Sequence, residues 1–400
     1  MRRRYLRGFV LIVAALMMAC SLAACATLDA FVDTFIEQKE EPEETVRIGV
    51  FEPLTGPDSE YGKLEVMGIE LANELYPVVL QKPVELIYAD NQSDIDVATA
   101  AIQDLIAKRP AIVLGSYGDI NSLVAVKYLE AAKIPAMAIT NTNPLVTSNN
   151  PYYFRVCYVE TYQGTALAKF TVESLGTSSA AIIREKGNDT ATALARTFED
   201  KMMQMTESPT TVCTTIEYEE GKADWSKEIA SIKASGLQAV FLPANLDDTR
   251  AILTEADKQD YKGVFLGTDV WSSDEFLSIM NNLDVNVAIS VVYAPDTSVN
   301  DMSKIFLQAY HAKYGVESVP DPAVALGFDA YIIAVDSINR ICTALDGELL
   351  ATSIGLETAF PGASGNITFD VDGNPMKTVI IEGVRNGKFV KLYTMEPIFE

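Results

Sequence analysis

Two successive runs of alternating strands and helices predict an α/β protein built from doubly wound parallel sheets. Apolar β-rich segments, polar turns and amphipathic helices follow one another over residues 46–140, and the pattern starts again at residue 180 and continues to 267. Strands joined through helices pair in parallel, because the crossover returns the chain to the same end of the sheet. Short all-apolar strands such as Ala111–Gly115 support the same class, since a strand covered on both faces shows no polar alternation.

The first βα unit sets the pattern. Val46, Ile48 and Val50 mark a strand, and Pro53, Gly56 and Pro57 break it into a turn. From Tyr61 the apolar residues Leu64, Met67 and Leu71 recur at helical spacing, which places Glu65 and Glu70 off that face. Pro83–Asp90 is a second strand, and Asp94–Lys108 a helix with Ile95, Ala98, Ile102, Leu105 and Ile106 on one side. Ala111–Gly115, the helix Asn121–Lys133 and the strand Pro135–Thr140 complete the first set.

The second set begins with a helix opening at Glu160–Gly164. Strands at Ala180–Arg184, Thr211–Tyr218, Ala239–Leu242 and Val264–Gly267 alternate with helices at Ala191–Met203, Trp225–Ala234 and Asp248–Gln259. Ile289–Tyr293 reads as a return strand, and Asp301–Tyr314 and Ala325–Leu345 as helices. A final hairpin joins Thr378–Glu382 to Phe389–Tyr393, turning at Asn386–Gly387, a strong two-residue turn signal.

Composition narrows the function. The 400 residues and 48% apolar content suffice for two to three packed cores. A net charge of −24 leaves no basic footprint for nucleic acid. The single histidine, His311, lies in a polar helical run. With no GxSxG sequence and no metal-ligand cluster, an envelope hydrolase is the weakest reading, and the chain is expected to be a non-enzyme without cofactor or metal. Cys157, Cys213 and Cys342 show no CxxC spacing and are expected to be buried small apolar side chains, with one disulfide among them left open.

The N-terminus is a targeting segment. Arg2, Arg3, Arg4 and Arg7 precede the apolar run Phe9–Met18, the form of a secretory signal peptide. Leu22-Ala23-Ala24-Cys25 resembles the lipobox of bacterial lipoproteins, which implies cleavage after residue 24 and lipidation of Cys25. Leu28, Phe31, Val32, Phe35 and Ile36 fall at helical spacing, and the acidic run that follows is a self-repelling spacer.

Four motifs in order carry a wider resemblance: P-L-T-G-P-x-x-x-Y-G from Pro53 to Gly62, Phe154-Arg155, Gln163-Gly164 opening a helix, and G-x-x-x-F-D-x-x-G from Gly365 to Gly373. Together they resemble the branched-chain amino-acid type of periplasmic binding protein, the type I solute-binding proteins of ABC importers, over residues 45–395. The resemblance implies two doubly wound parallel-sheet lobes joined by a three-strand hinge, the type I periplasmic-binding fold. Lobe 1 is then 46–157 with 294–364, and lobe 2 is 158–293 with 365–400, preceded by the signal peptide 1–24 and the anchor and tether 25–45. The crossings fall near Phe154–Tyr158, Val291–Pro295 and Gly365–Thr368.

The resemblance further implies capture of a small polar solute, an amino acid or a relative, between the strand ends of both lobes. The partners are permease subunits in a bacterial cell envelope, with membrane contact through the lipid anchor alone. Matching positions give Tyr61, Ser116, Tyr117, Asn141 and Thr142 from lobe 1, and Tyr162, Asn188, Asp269 and Phe328 as further ligand contacts, with Asp189 and Asn245 on the rim. Asp269 matches an acidic residue that receives a ligand ammonium. Asp119 stands where that family usually has a serine, as a ligand neighbour or as a helix N-cap. A carboxylate there would repel a ligand carboxylate, which opens the ligand class and leaves an alternative: a regulatory or sensory lipoprotein of the same fold that binds an envelope protein.

Overall fold

In lobe 1 the strands stand in the order β2-β3-β1-β4-β5-β6. They are β1 (Val46–Glu52), β2 (Val78–Val79), β3 (Lys82–Asp90), β4 (Ile112–Gly115), β5 (Ala136–Ala138) and β6 (Tyr153–Arg155). The computed structural model describes residues 44–207, 213–295 and 298–396; the leader, Cys25 and the tether up to residue 43 lie outside them. Central β1 pairs in parallel with β3, Val46 opposite Val84, and with β4, Ile48 opposite Ile112. From Ile48 to Glu52 it is fully buried, as a strand sandwiched between helices requires. Helices α1 (Ser59–Leu75), α2 (Ile95–Ala107) and α3 (Asp119–Ala132) supply the crossovers.

In lobe 2 a larger sheet runs β16-β15-β11-β10-β9-β7-β8, with β15 (Val379–Arg385) and β16 (Lys388–Met395) at its edge. Its parallel part is β7 (Ala180–Glu185), β8 (Cys213–Tyr218), β9 (Ala239–Phe241), β10 (Val264–Gly267) and β11 (Asn286–Val291). Helices α4 (Tyr162–Glu173), α5 (Asp189–Thr206), α6 (Ser226–Ser235), α7 (Leu246–Lys258) and α8 (Asp274–Met280) alternate with them. One face packs α4 and α5 through Leu167, Phe170, Leu194 and Phe198. The other packs α6, α7 and α8 through Ile229, Ile252, Leu253 and Phe276. The chain then returns to lobe 1 as α9 (Asp301–Tyr314), α10 (Pro322–Ile341) and α11 (Gly347–Gly355).

Helix α10 is buried along nearly its whole length and lies against α1. The two backbones nearly touch: a Cβ on Gly68 would sit 2.0 Å from the Val324 carbonyl oxygen, and one on Gly327 would sit 2.2 Å from that of Glu65. This contact corrects the expectation for α1. Covered by β1 on one side and by α10 on another, the helix buries Glu65 fully, while Glu70 is half-buried and Lys63 and Glu74 stay exposed.

Three further corrections concern the C-terminal third. The helix expected over Ala325–Leu345 ends at Ile341, where Cys342 takes a left-handed conformation (φ 58°), and α11 is a separate helix N-capped by Asp346. Cys342 is exposed, whereas Cys157 and Cys213 are buried, and all three are free thiols. A small antiparallel sheet of β12 (Phe360–Gly362), β13 (Gly365–Phe369) and β14 (Pro375–Lys377) belongs with lobe 1, because Ile367 and Phe369 enter its core beside Phe154. The third crossing therefore falls at Thr378, about a dozen residues later than expected. Beyond it β15 (Val379–Arg385) pairs antiparallel with β11 and with β16 (Lys388–Met395). The β15–β16 turn has φ 52° at Asn386 and 70° at Gly387, as a type I′ turn demands.

A buried polar knot ties the crossings together. The Asp329 carboxylate accepts from the Ala363 and Ser364 amides and the Ser364 hydroxyl. Lys377 Nζ donates to Ser364 Oγ at 2.5 Å and to the Val156 carbonyl at 3.1 Å. The knot thus joins α10, the end of β14 and the first crossing. Burial lowers Lys377 to about 8, against the pull of Asp329.

Candidate functional site

The carboxyl ends of both sheets converge on the first crossing segment, Cys157–Glu160. Burial raises the Glu160 carboxyl, and so do the neighbouring carboxylates Asp269, at the end of β10, and Asp119, at the start of α3. Tyr158 feels Asp269 as well. This is where ligands sit in open α/β sheets, over the strand ends.

In lobe 1 three loops form the wall. The β1 turn is fixed by Asp90, which accepts from the Leu54 and Thr55 amides and, at 2.6 Å, from the Thr55 hydroxyl. Tyr61 is exposed, and its ring stacks on Tyr117 with centroids 5.0 Å apart and planes 10° from parallel. The β4 loop begins at Gly115, whose φ of 106° only glycine adopts readily and where a Cβ would collide with Glu52 Oε1 at 2.2 Å. Ser116 is fully buried. Its hydroxyl accepts from Asn91 Nδ2 at 2.7 Å and donates to the Tyr117 carbonyl. It braces the loop, which corrects its assignment as a ligand contact. Asp119 is the first residue of α3, after Gly118 at the cap, and Oδ1 accepts from the Asn143 amide at 3.4 Å. It links two loops of the wall and is no N-cap.

The β5 loop rests on Arg155. This buried guanidinium donates to the carbonyls of Asn141 at 2.9 Å and Asn143 at 2.8 Å, and to Thr147 Oγ1 at 3.0 Å. Cys157 Sγ adds a contact to the Asn141 carbonyl. The Asn141 carbonyl is thereby engaged, but its side-chain amide is not: Oδ1 and Nδ2 are both buried and have no protein partner. Thr142, beside it, is half-buried.

Under these loops lies a pair of fully buried carboxyls, Glu52 and Glu65. Glu52 Oε2 accepts from the Tyr117 amide at 2.7 Å, and Glu65 Oε1 from the Thr140 hydroxyl. The remaining oxygens, Glu52 Oε1 and Glu65 Oε2, find no other donor. Burial raises both groups, Glu65 to about 7, and the two are hydrogen-bonded to each other. One proton held between two carboxyls satisfies both oxygens.

In lobe 2 the organiser is Gln163, near the start of α4. Its Nε2 donates to Asp269 Oδ1 and its Oε1 accepts from the Asp269 amide, both at 2.9 Å, while Ser290 Oγ donates to the same oxygen at 2.8 Å. Asp269 remains exposed to solvent, yet the mass of protein around it raises its carboxyl. Exposure combined with crowding describes the wall of a concave site. Tyr158 and Tyr162 lie beside it with ring centroids 6.0 Å apart. The Tyr158 hydroxyl is buried and has no protein partner. Asn188 caps α5 by accepting from the Ala191 amide, Asp189 follows it, and Asn245 caps α7; all three are exposed.

Phe328 belongs elsewhere. It is fully buried in the lobe 1 core, edge-on to Phe306 with centroids 5.2 Å apart, which corrects its placement in the cleft. The structure thus gathers Tyr61, Tyr117, Asn141, Thr142, Tyr162 and Asp269 around the crossing, with Ser116 beneath them. Sequence reasoning missed Glu160, Tyr158, Gln163 and the Glu52–Glu65 pair; the charged residues among them carried the only usable signal, a carboxylate in an otherwise apolar setting. A separate cavity of about 360 Å³, lined by Asn150, Tyr152 and Glu348 among others, opens at the amino end of β6, away from these loops.

The family pattern described as "Periplasmic binding protein" matches residues 45–388. The chain belongs to the periplasmic binding protein family. Among relatives of this periplasmic binding protein is the leucine-, isoleucine-, valine-, threonine- and alanine-binding protein of Pseudomonas aeruginosa, 22% identical over 83% of this chain and 87% of its own. A leucine-binding protein from Thermotoga maritima superposes with a TM-score of 0.66 at 27% identity, covering 88% of this chain and 99% of that one. A branched-chain amino-acid ABC transporter protein from Rhodospirillum rubrum reaches 0.79 at 21% identity, over 87% and 100% of the two chains. Among the described residues of this periplasmic binding protein, no helix is long and apolar enough to cross a membrane.

Proposed function

We propose that this chain is the extracytoplasmic substrate-binding lipoprotein of an ABC importer, held at the membrane through Cys25. It captures a small polar solute between its lobes and presents it to permease subunits. One observation carries the reading: the Asn141 amide, on the loop bonded to Cys157, and the Tyr158 hydroxyl, beside Asp269, are both buried without protein partners where the two sheets' strand ends meet. Buried polar groups without partners are costly, and a solute that enters the site can satisfy them. The named relatives bind amino acids, which supports this class of cargo.

Isothermal titration of the purified chain against amino acids, amines and small organic acids tests this reading. The expected result is one solute bound per chain with a dissociation constant in the micromolar range or below. Absence of binding across the panel, with an envelope protein recovered in its place by pull-down, would replace it with the regulatory reading.

A further inference from the structure

The polar inventory of the cleft is one-sided. Asp119 comes from lobe 1, and Glu160 and Asp269 from lobe 2 and the crossing, near enough for both aspartates to act on Glu160. Asp58, at the head of α1, acts with Asp119 on the Tyr117 hydroxyl. Among the described residues, the bonded cations at these strand ends are turned to groups other than Asp119, Glu160 and Asp269. Arg155, the cation near Asp119 behind the β5 loop, is buried and points its bonded donors at the Asn141, Asn143 and Pro144 carbonyls and Thr147, leaving three carboxylates against one guanidinium. Arg184 pairs with Glu217, and Lys186 with Glu219. A ligand carboxylate entering here would meet like charge from both lobes.

Two further features favour a particular guest. The stacked Tyr61–Tyr117 rings and the tilted Tyr158–Tyr162 rings give each lobe an aromatic pair next to its carboxylates. Aromatic faces beside carboxylates attract ammonium groups. Independently of the charges, the Asn141 amide and the Tyr158 hydroxyl, each at least nine-tenths buried, lack any protein partner. They are the groups a bound amine or amide could complete.

We propose that this cleft takes an organic cation: an amine whose ammonium is held among Asp119, Glu160 and Asp269, whose body lies on the tyrosine rings, and which carries no free carboxylate. This rests on the solute-binding reading above and names its class of solute.

The test is titration of the full chain with leucine, leucinamide and putrescine. Leucine and leucinamide share a side chain and an amine and differ only in the carboxylate. Leucinamide or putrescine is expected to bind at least tenfold more tightly than leucine. D119N and E160Q, each removing one charge without changing shape, are expected to weaken amine binding tenfold or more while leaving the thermal midpoint in place. Leucine binding as tightly as its amide overturns the cation class and leaves solute capture standing. Amine affinity indifferent to both variants also overturns it. If neither these probes nor a wider solute panel binds, solute capture fails and the cation class fails with it. The leucine–leucinamide comparison uses the native chain, so a variant that misfolds does not blunt the test.

Discussion

Replacing Glu65 with glutamine should make this protein more stable at pH 8 and change little at pH 4.5. The carboxyl ordinarily ionises near 4.5, and burial in the fold raises it to about 7. Between those values the folded chain keeps a proton that the unfolded chain has released. The stability this contributes is complete below pH 4.5 and is lost as pH rises through 7. A shift of this size corresponds to about 3 kcal/mol, at roughly 1.4 kcal/mol per pKa unit. Glutamine cannot ionise and fits the same bonds. Its oxygen can accept from Thr140, and its nitrogen can donate to Glu52 Oε1, the oxygen left without another donor. Glu52 Oε2 keeps the Tyr117 amide.

Urea unfolding of the native chain and of E65Q at closely spaced pH values between 4.5 and 8 reads this out. The difference between the two curves isolates the pair from every other titrating group. The native stability should fall relative to E65Q by up to about 3 kcal/mol across the interval, at unchanged m-value. Parallel curves would mean that no proton is held between these carboxyls, and the account of the site's floor would have to be withdrawn.

Other outcomes follow from the same structure. K377M should cost about 3–5 kcal/mol, because it leaves the Asp329 carboxylate buried without its cation, and D329N combined with K377M should recover most of that in unfolding midpoints. G68A should lower stability by about 1–3 kcal/mol, since the new methyl cannot share space with the Val324 carbonyl and α10 must shift away from α1. Q163A should weaken ligand binding at least tenfold in titration with little change in far-UV circular dichroism, since it frees Asp269 and strands the buried Ser290 hydroxyl. C25S should move the protein from the membrane fraction to the soluble fraction on fractionation of expressing cells.

Most of the architecture was legible because its determinants are local. Period-two and period-3.6 apolar spacing locates the strands and helices to within a few residues, and Asn386–Gly387 marks the last turn outright. The errors arose where tertiary packing overrules the local signal. Glu65 reads as a surface residue because α1 shows an apolar stripe on one side only; the second burying surface, α10, arrives about 260 residues later through a glycine contact that leaves no apolar trace. The third crossing was misplaced because β13 alternates like any half-buried strand, and only Ile367 and Phe369 packing beside Phe154 assigns it to lobe 1. Phe328 and Ser116 were drawn to the cleft by their motif positions. Their burial depends on Phe306 and Asn91, distant in sequence.

The site and its floor share the same loops, which joins the two main claims. Tyr117 faces the cleft with its ring and holds Glu52 with its amide; Thr140 holds Glu65 two residues before Thr142 enters the wall. A buried pair that keeps its proton puts at most one negative charge under this wall, while the wall itself carries Asp119. Ionising both carboxyls would add negative charge where Asp119, Glu160 and Asp269 already gather, with Arg155 as the compensating charge behind the β5 loop. A cationic guest relieves that field from the cleft side, and a retained proton limits it from below. If both hold, amine affinity and the protonation of Glu52–Glu65 are linked. Raising pH through 7 should then tighten binding of putrescine, whose charge is constant over that range, and E65Q should remove the dependence. An affinity for putrescine that is flat from pH 6 to 8 in the native chain would separate the two and leave the buried pair a purely structural feature.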